Sequence, residues 1–214
     1  MMNTDILIAN LSEDVPKVSR HAVARRVGTG LLVGGMVAMI AVTTLLGVRP
    51  DLHVAMRGFA FWMKWTYTIS LGLGAAFAVT RLARPDTRSL QALWILAVPV
   101  LLLAGVCINE LARTPPAKWL AMWLGKSWMA CPWLVLSLAA PIFVGLLWSF
   151  RKMAPTRLRA AGAVAGLAAG AWAATIYCLH CPEVSALFVL TWYSLGIAIA
   201  AGLGALIGPR LMRW

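Results

Sequence analysis

Charged residues are scarce in this chain, and acidic residues are scarcer still. Only 12% of the 214 residues are charged, with 7 Asp or Glu against 19 Lys or Arg. An ordinary soluble protein is excluded, because 61% of the residues are hydrophobic and the mean hydropathy is +0.82. The shortage of carboxylates also disfavours a proton-coupled pump or a metal-ion exporter, since such transport needs relays of ionisable groups within the membrane.

Histidine is also rare, with three in the whole chain, and none falls at membrane depth in the long apolar runs. An intramembrane b-type haem is therefore not expected, because it would need axial histidine ligands there. The apolar runs leave only a short tail, short connections and a C-terminal stub. We therefore expect no soluble catalytic domain on either side of a membrane.

Six apolar runs are each about as long as the roughly 20 residues that cross the hydrocarbon layer of a bilayer. They predict an all-α, polytopic membrane protein with six transmembrane helices. Residues 1–26 form an N-terminal tail on this interpretation, and residues 27–214 form the membrane domain. The runs are Val27–Val48, Phe59–Thr80, Leu90–Leu111, Met129–Phe150, Ala160–Leu179 and Val184–Ile207.

The cations are distributed unevenly between the two sides of this topology. Thirteen Lys or Arg residues fall on the side of the two termini, and six fall on the opposite side. Positive charge favours the cytoplasm, so both termini are predicted to be cytoplasmic in a bacterial inner membrane. The net charge of +12 then reports membrane orientation, and we expect no direct contact with nucleic acid.

Glycines four residues apart recur in three of the predicted spans. This spacing lets transmembrane helices approach closely, so we interpret these glycines as packing positions rather than as an active site. They are Gly30 and Gly34 in the first span, Gly162, Gly166 and Gly170 in the fifth, and Gly204 and Gly208 in the sixth.

Two of the four cysteines precede proline, in Cys131-Pro132 and Cys181-Pro182, and each pair opens a long apolar run. Proline fits the first turn of a helix, so each pair predicts a helix that begins at or just after the cysteine. A thiol at a helix N-terminus forms its thiolate more readily. Both cysteines map to the outer side of the membrane, where thiols can be oxidised.

The segment Tyr177–Glu183 concentrates groups that bind soft metal ions. Cys178, His180 and Glu183 surround Cys181 in it, and thiolate with imidazole suits Zn-like, Cd-like and Cu(I) ions. The Cys178-x-x-Cys181 spacing also matches dithiol redox motifs. Two chemistries therefore stay open: binding of a soft metal ion, and the thiol–disulfide exchange of a membrane oxidoreductase that uses Cys178 and Cys181.

Three more residues near the predicted outer face have simpler interpretations. Cys107 is expected to be a small buried hydrophobic residue. Glu110, three residues later, can face the cysteine cluster. Lys64 is expected to extend its ammonium outward to the membrane interface.

The N-terminal tail has apolar residues at helical spacing. Leu7 and Leu11 are four residues apart, and Ile8 and Leu11 are three apart. So short a helix is marginal alone in water, so we expect it to fold in the groove of a protein partner. The candidate partner-binding residues are Ile6, Leu7, Ile8, Leu11 and Val15.

Over nearly its full length the chain resembles the NrsF-type membrane anti-sigma factors. The shared features are six spans and an Asn3-Thr4-Asp5 leader, the Cys131-Pro132 start of the fourth span, and His180-Cys181-Pro182-Glu183 continuing to Trp192-Tyr193-Ser194-Leu195-Gly196. The resemblance implies a non-enzymatic inner-membrane protein that holds an extracytoplasmic-function sigma factor inactive until heavy-metal or oxidative stress.

The resemblance also implies a cysteine pair on the periplasmic side, which corresponds to Cys131 and Cys181 here. On this hypothesis there is no constitutive cofactor, and a soft metal ion held by these two thiolates is the candidate regulatory ligand. A disulfide between the same two cysteines is the alternative.

Overall fold

The computed structural model describes residues 4, 8, 19, 21–83, 91–150, 153 and 155–212. This part of the chain is helical and contains no β-strand. Six long helices follow one another, joined by short helices and turns. We number them α1 (Ala22–Leu46), α2 (Phe59–Leu82), α3 (Ala97–Ala112), α4 (Cys131–Phe150), α5 (Leu158–Tyr177) and α6 (Ala186–Leu211).

Five of these segments are long and apolar enough to cross a membrane. They are Ala22–Leu46, Trp94–Ala112, Cys131–Phe150, Leu158–Tyr177 and Ala186–Leu211. The helix α2, at 24 residues, is long enough to span. It is less apolar than the others because Lys64 and several hydroxyl-bearing side chains lie in its first half.

Two of the helix starts differ from the sequence prediction. The first helix begins at Ala22, five residues before the predicted span, so it extends into the segment assigned to the tail. The α-helix α3 begins at Ala97, after the predicted start at Leu90, so Pro99 lies in its first turn, where proline is tolerated without a kink. Pro141 lies inside α4.

The helix α5 forms the centre of the bundle and packs against α2, α4 and α6. Its sequence is rich in alanine and glycine, and most of it is buried. A Cβ added at Gly162 would meet the Gly204 carbonyl of α6, and one added at Gly166 would meet the Ala200 carbonyl. The glycine spacing therefore marks helix packing, as predicted.

The helix α1 packs against α4 by the same means. A Cβ at Gly30 would meet the Gly145 carbonyl, and one at Gly34 would meet the backbone of Pro141 and Ile142. Near the start of α1, the Ser149 hydroxyl of α4 donates to the Arg26 carbonyl at 2.8 Å. The first helix spans 25 residues, or about 37 Å at 1.5 Å per residue, so its two ends lie far apart.

Candidate functional site

Three of the four cysteines meet at one end of the bundle. Cys131 begins α4, Cys178 directly follows α5, and Cys181 precedes α6. All three are free thiols with 0% exposure, and Cys131 interacts electrostatically with the other two. The structure thus brings together the two cysteines predicted to sense stress and places Cys178 beside them, with no sulfur open to solvent.

Cys131 lies where its sequence predicts. The helix α4 begins at this residue with Pro132 in its first turn. The Cys131 N–H donates to the Ser127 carbonyl at 2.9 Å, so the preceding turn leads directly into the helix. Ser127 also contacts the segment that contains Cys181.

The prediction that Cys181-Pro182 opens a helix is wrong. Residues 181–185 are not helical, and the helix begins at Ala186 after Ser185 in an extended conformation. The Glu110 carboxylate explains this start, because Oε2 accepts from the Ser185 hydroxyl at 3.1 Å and from the Ala186 N–H at 2.8 Å. An acidic group here satisfies free N–H groups and interacts well with the helix dipole. Glu110 therefore contacts the start of α6, just after the segment that contains Cys181.

Lys64 binds the same segment from α2. Its side chain is completely buried. The ammonium donates to the Cys181 carbonyl at 3.1 Å and to the Glu183 carbonyl at 2.6 Å. Carbonyls that a helix would have used internally are thus satisfied by a lysine from α2, which explains how residues 181–185 remain non-helical.

Arg49 provides a second cation at the same carbonyl. Its guanidinium donates to the Cys181 carbonyl at 3.3 Å and forms a bidentate ion pair with Asp51 at 2.8 and 2.7 Å. The hydrogen bonds from Arg49 lower the pKa of the Asp51 carboxyl below its usual value. The Arg49 N–H also donates to the Leu179 carbonyl at 3.0 Å, so the loop after α1 holds the loop after α5.

Glu183 joins the Cys181 segment to the turn before α4. Its Oε1 accepts from the Lys126 N–H at 2.7 Å, the Ser127 N–H at 3.2 Å and the Ser127 hydroxyl at 3.1 Å. The Ser127 oxygen lies 3.9 Å from the Cys181 sulfur. Gly125 has φ of +56°, and a Cβ there would lie 2.6 Å from the Glu183 carboxylate. Both conformation and space therefore favour glycine at this position.

Aromatic side chains surround the thiols. The Tyr177 side chain interacts with both Cys131 and Cys181, and its ring lies 5.6 Å from that of Tyr193. The Tyr193 hydroxyl has no hydrogen-bond partner among the described residues. Its electrostatic neighbours are the three cysteines of the cluster. The His180 Nδ1 lies 2.8 Å from the Gly47 carbonyl oxygen. Because a carbonyl oxygen can only accept a hydrogen bond, Nδ1 is the donor.

Three tryptophans meet where the connection between α3 and α4 reaches α6. The Trp192 Nε1 donates to the Trp123 carbonyl at 2.7 Å. The Trp192 ring lies 5.6 Å from the Trp123 ring and 5.2 Å from the Trp128 ring. These contacts fasten the connection between α3 and α4 onto the start of α6.

The remaining predicted residues lie away from this cluster. Cys107 is buried in α3, as predicted, with Glu110 as its electrostatic neighbour. Among the tail anchors, Ile8 is helical and 59% exposed. Four lie outside the described residues, namely Ile6, Leu7, Leu11 and Val15.

No group of three or more His, Cys, Asp or Glu side chains is arranged to hold a metal ion in the described ranges. Zn-like ions usually take four ligands, and two thiolates alone do not complete such a set. His180 Nδ1 is engaged with Gly47, and Glu183 binds the Lys126–Ser127 turn. Ligation of a Zn-like or Cd-like ion by Cys131 and Cys181 would therefore require the segment to rearrange.

Sequence reasoning missed several residues that shape this site. Arg49, Ser127 and Gly125 were not identified, and Lys64 was given a different role. A buried lysine in an apolar run is a signal that could have pointed to the site, because an ionisable residue within a span is costly and usually has a named partner. The backbone carbonyls that Lys64 binds leave no trace in the sequence.

The geometry defines an all-helical bundle, with candidate membrane spans, that buries three free thiols at one end. The profile of the NrsF family, described as "Negative regulator of sigma F", matches residues 11–214. The chain belongs to this family.

Two curated relatives align over the whole of both chains. One, "Probable anti-sigma-F factor NrsF" from Azospira oryzae, is 38% identical over 213 residues. The other, "Anti-sigma-F factor NrsF" from Caulobacter vibrioides, is 39% identical over 215 residues. No solved structure matches the chain. Both relatives are named as regulatory proteins, so the chain is a regulator rather than an enzyme, and the oxidoreductase alternative is set aside.

Proposed function

We propose that this chain is an inner-membrane anti-sigma factor that binds an extracytoplasmic-function sigma factor through residues 1–26. Heavy metal or oxidant at Cys131 and Cys181 then releases the sigma factor. Membership of the NrsF family supports the regulatory role. The single structural observation that supports the mechanism is that the thiols lie near one end of α1, where His180 contacts Gly47, whereas the N-terminal residues of the chain precede its other end at Ala22.

This function needs a topology of six spans with both termini in the cytoplasm and residues 27–214 as the sensory domain. In this proposal the helix α2 spans the membrane in addition to the five candidate spans described above. Its 24 residues are about 36 Å long. The excess of Lys and Arg on the side of the termini supports this orientation. The thiols then face the periplasm, which is an oxidising compartment.

The helix α4 offers a direct route between the two ends. It begins at Cys131, and near its other end the Ser149 hydroxyl donates to the Arg26 carbonyl at 2.8 Å. Its glycine contacts with α1, through Gly30 and Gly145, leave little room for the two helices to move independently. A displacement of α4 at Cys131 would therefore reach the base of the tail.

The required coupling is small. A tenfold loss of affinity for the sigma factor corresponds to about 1.4 kcal/mol, which a disulfide or metal–thiolate bond can provide. Because a zinc-like ion would need more ligands than Cys131 and Cys181 supply, its binding must shift the surrounding segment. A resting state without a complete metal site suits a sensor, which must have two arrangements.

The test uses the full-length chain in its bacterial membrane. We expect the C131S/C181S variant to retain the sigma factor on co-purification and to lose its release by cadmium or an oxidant. The matched control C107S should retain and release it normally, because Cys107 is a buried residue within α3 and is not one of the two proposed sensing cysteines. Deletion of residues 1–20 should abolish retention. Normal release in C131S/C181S would refute the sensing role, and retention after the deletion would refute the role of the tail.

A further inference from the structure

A short non-helical segment covers the thiols. We call residues 181–185 the strap. It contains Cys181 itself and connects α5 to α6 over the start of α4, where Cys131 is buried. Its outer residues Pro182 and Val184 are exposed, whereas Cys181 and Ser185 are buried. The strap therefore has an exposed side and a buried side, and Cys181 lies on the buried side.

Lys64 holds the strap from the side of α2. Burial of a charged ammonium is costly unless strong hydrogen bonds compensate for it, and a lysine near the end of a helix usually extends to water. Lys64 is nevertheless buried, and its ammonium binds two strap carbonyls, those of Cys181 and Glu183. Both of these hydrogen bonds are made with the backbone of the strap and not with its side chains.

Glu183 holds the strap from the side of α4. One carboxylate oxygen accepts two N–H groups and the Ser127 hydroxyl from the turn that leads into Cys131. Hydrogen bonds to a charged acceptor are roughly twice as strong as neutral ones. The two contacts fix different parts of the strap, because Lys64 binds its backbone and Glu183 contributes its side chain.

We propose that Lys64 and Glu183 are positioning residues that hold the strap closed over Cys131 and Cys181, so that a metal ion or oxidant reaches both thiols only when the strap opens. The consequence for sigma-factor release rests on the function proposed above, but the shielding of the thiols does not. The strap therefore sets the threshold at which the thiols respond.

The first experiment measures the rate at which N-ethylmaleimide labels each cysteine in the full-length protein in detergent, resolved by mass spectrometry. K64M and E183Q should each accelerate labelling of Cys131 and Cys181 at least tenfold over the wild type. K64R, which keeps a cationic donor, should recover most of the protection. The control K118M changes an exposed lysine and should label at the wild-type rate.

Cys107 is the internal reference, because it is buried within α3 and belongs neither to the strap nor to the start of α4. A rise at Cys131 and Cys181 with no rise at Cys107 supports the strap. Unchanged rates in both K64M and E183Q overturn it. An equal rise at all three cysteines in both variants also overturns it, because the two residues would then stabilise the bundle as a whole.

The second experiment separates the strap from the function. In cells, K64M and E183Q should each raise the expression of a sigma-dependent reporter at sub-saturating cadmium. As a control, the C131S/C181S substitutions are added to each variant and should abolish this increase in reporter expression. Faster labelling without any change in the reporter refutes the proposed sensing function and leaves the strap. Unchanged labelling with normal induction by cadmium refutes the strap and leaves the function.

Discussion

Two adjacent glycines of α1 provide a sharp test of how α1 packs against α4. A Cβ at Gly34 would lie 2.6 Å from the Pro141 carbonyl oxygen and 2.9 Å from the Ile142 nitrogen. A Cβ at Gly35 would meet nothing within 4 Å. The variants G34A and G35A therefore add the same methyl group to the same helix, one residue apart, with opposite steric results.

The magnitude follows from two opposing effects. Replacing glycine by alanine within a helix gains about 0.5–1 kcal/mol from backbone entropy. Inserting a methyl group into a closely packed contact costs about 1–3 kcal/mol, and at Gly34 the obstacles are backbone atoms that cannot rotate away. We expect G34A to be less stable than G35A by roughly 2 kcal/mol, or about 4–8 °C in the unfolding midpoint of a chain of this size.

The assay is thermal unfolding of the full-length protein in one detergent, with co-purification of the sigma factor as a second readout. G35A should equal or exceed the wild type in both measurements. G34A should unfold earlier, and in the proposed mechanism it should also weaken sigma-factor release because the contact between α1 and α4 is altered. Equal midpoints for G34A and G35A would refute the close approach of the two helices.

Two further predictions concern the loops at the cysteine end. E110A should destabilise the protein by about 2 kcal/mol, because the start of α6 loses a charged cap. E110Q keeps a hydrogen-bond acceptor and should cost about half as much. Calorimetry of E110A, E110Q and the wild type measures the difference, and equal unfolding midpoints would contradict the cap. The lowered pKa of Asp51 means that its ion pair with Arg49 contributes stability above pH 3.8 and loses it as the pH falls through the lowered pKa. The difference in unfolding midpoint between the wild type and D51N should thus be constant from pH 6 to 4 and should disappear below that. A difference that disappears near neutral pH would show that the Asp51 carboxylate is not responsible for it.

Local sequence patterns predicted the helices and their contacts well. Five of the six apolar runs coincide with helices long and apolar enough to span a membrane. The start of α4 at Cys131 followed from a proline in the first turn, and the spacing of Gly162 and Gly166 located the contact with α6. Hydrophobic length, proline position and small-residue spacing all act within one helix, so they can be read from a single segment.

The connections at the cysteine end were harder to predict, because they depend on residues far apart in the chain. Cys181-Pro182 has the same local pattern as Cys131-Pro132, yet only Cys131-Pro132 begins a helix. The difference comes from Lys64, which binds the Cys181 and Glu183 carbonyls, and from Glu110, which caps Ala186 instead. These partners are 117, 119 and 76 residues away, and their acceptors include backbone atoms that no sequence pattern marks.

The different settings of the two sensing cysteines suggest how a bond between them would act in the proposed mechanism. Cys131 belongs to a helix that contacts α1 over much of its length, so it can move only with α4. Cys181 belongs to the strap, which is fixed mainly by side-chain contacts from Lys64, Arg49 and Glu183. When a metal ion or a disulfide joins the two sulfurs, the contacts that hold the strap are therefore the first to break. Any remaining strain passes into α4, whose other end holds the Arg26 carbonyl at the base of the tail.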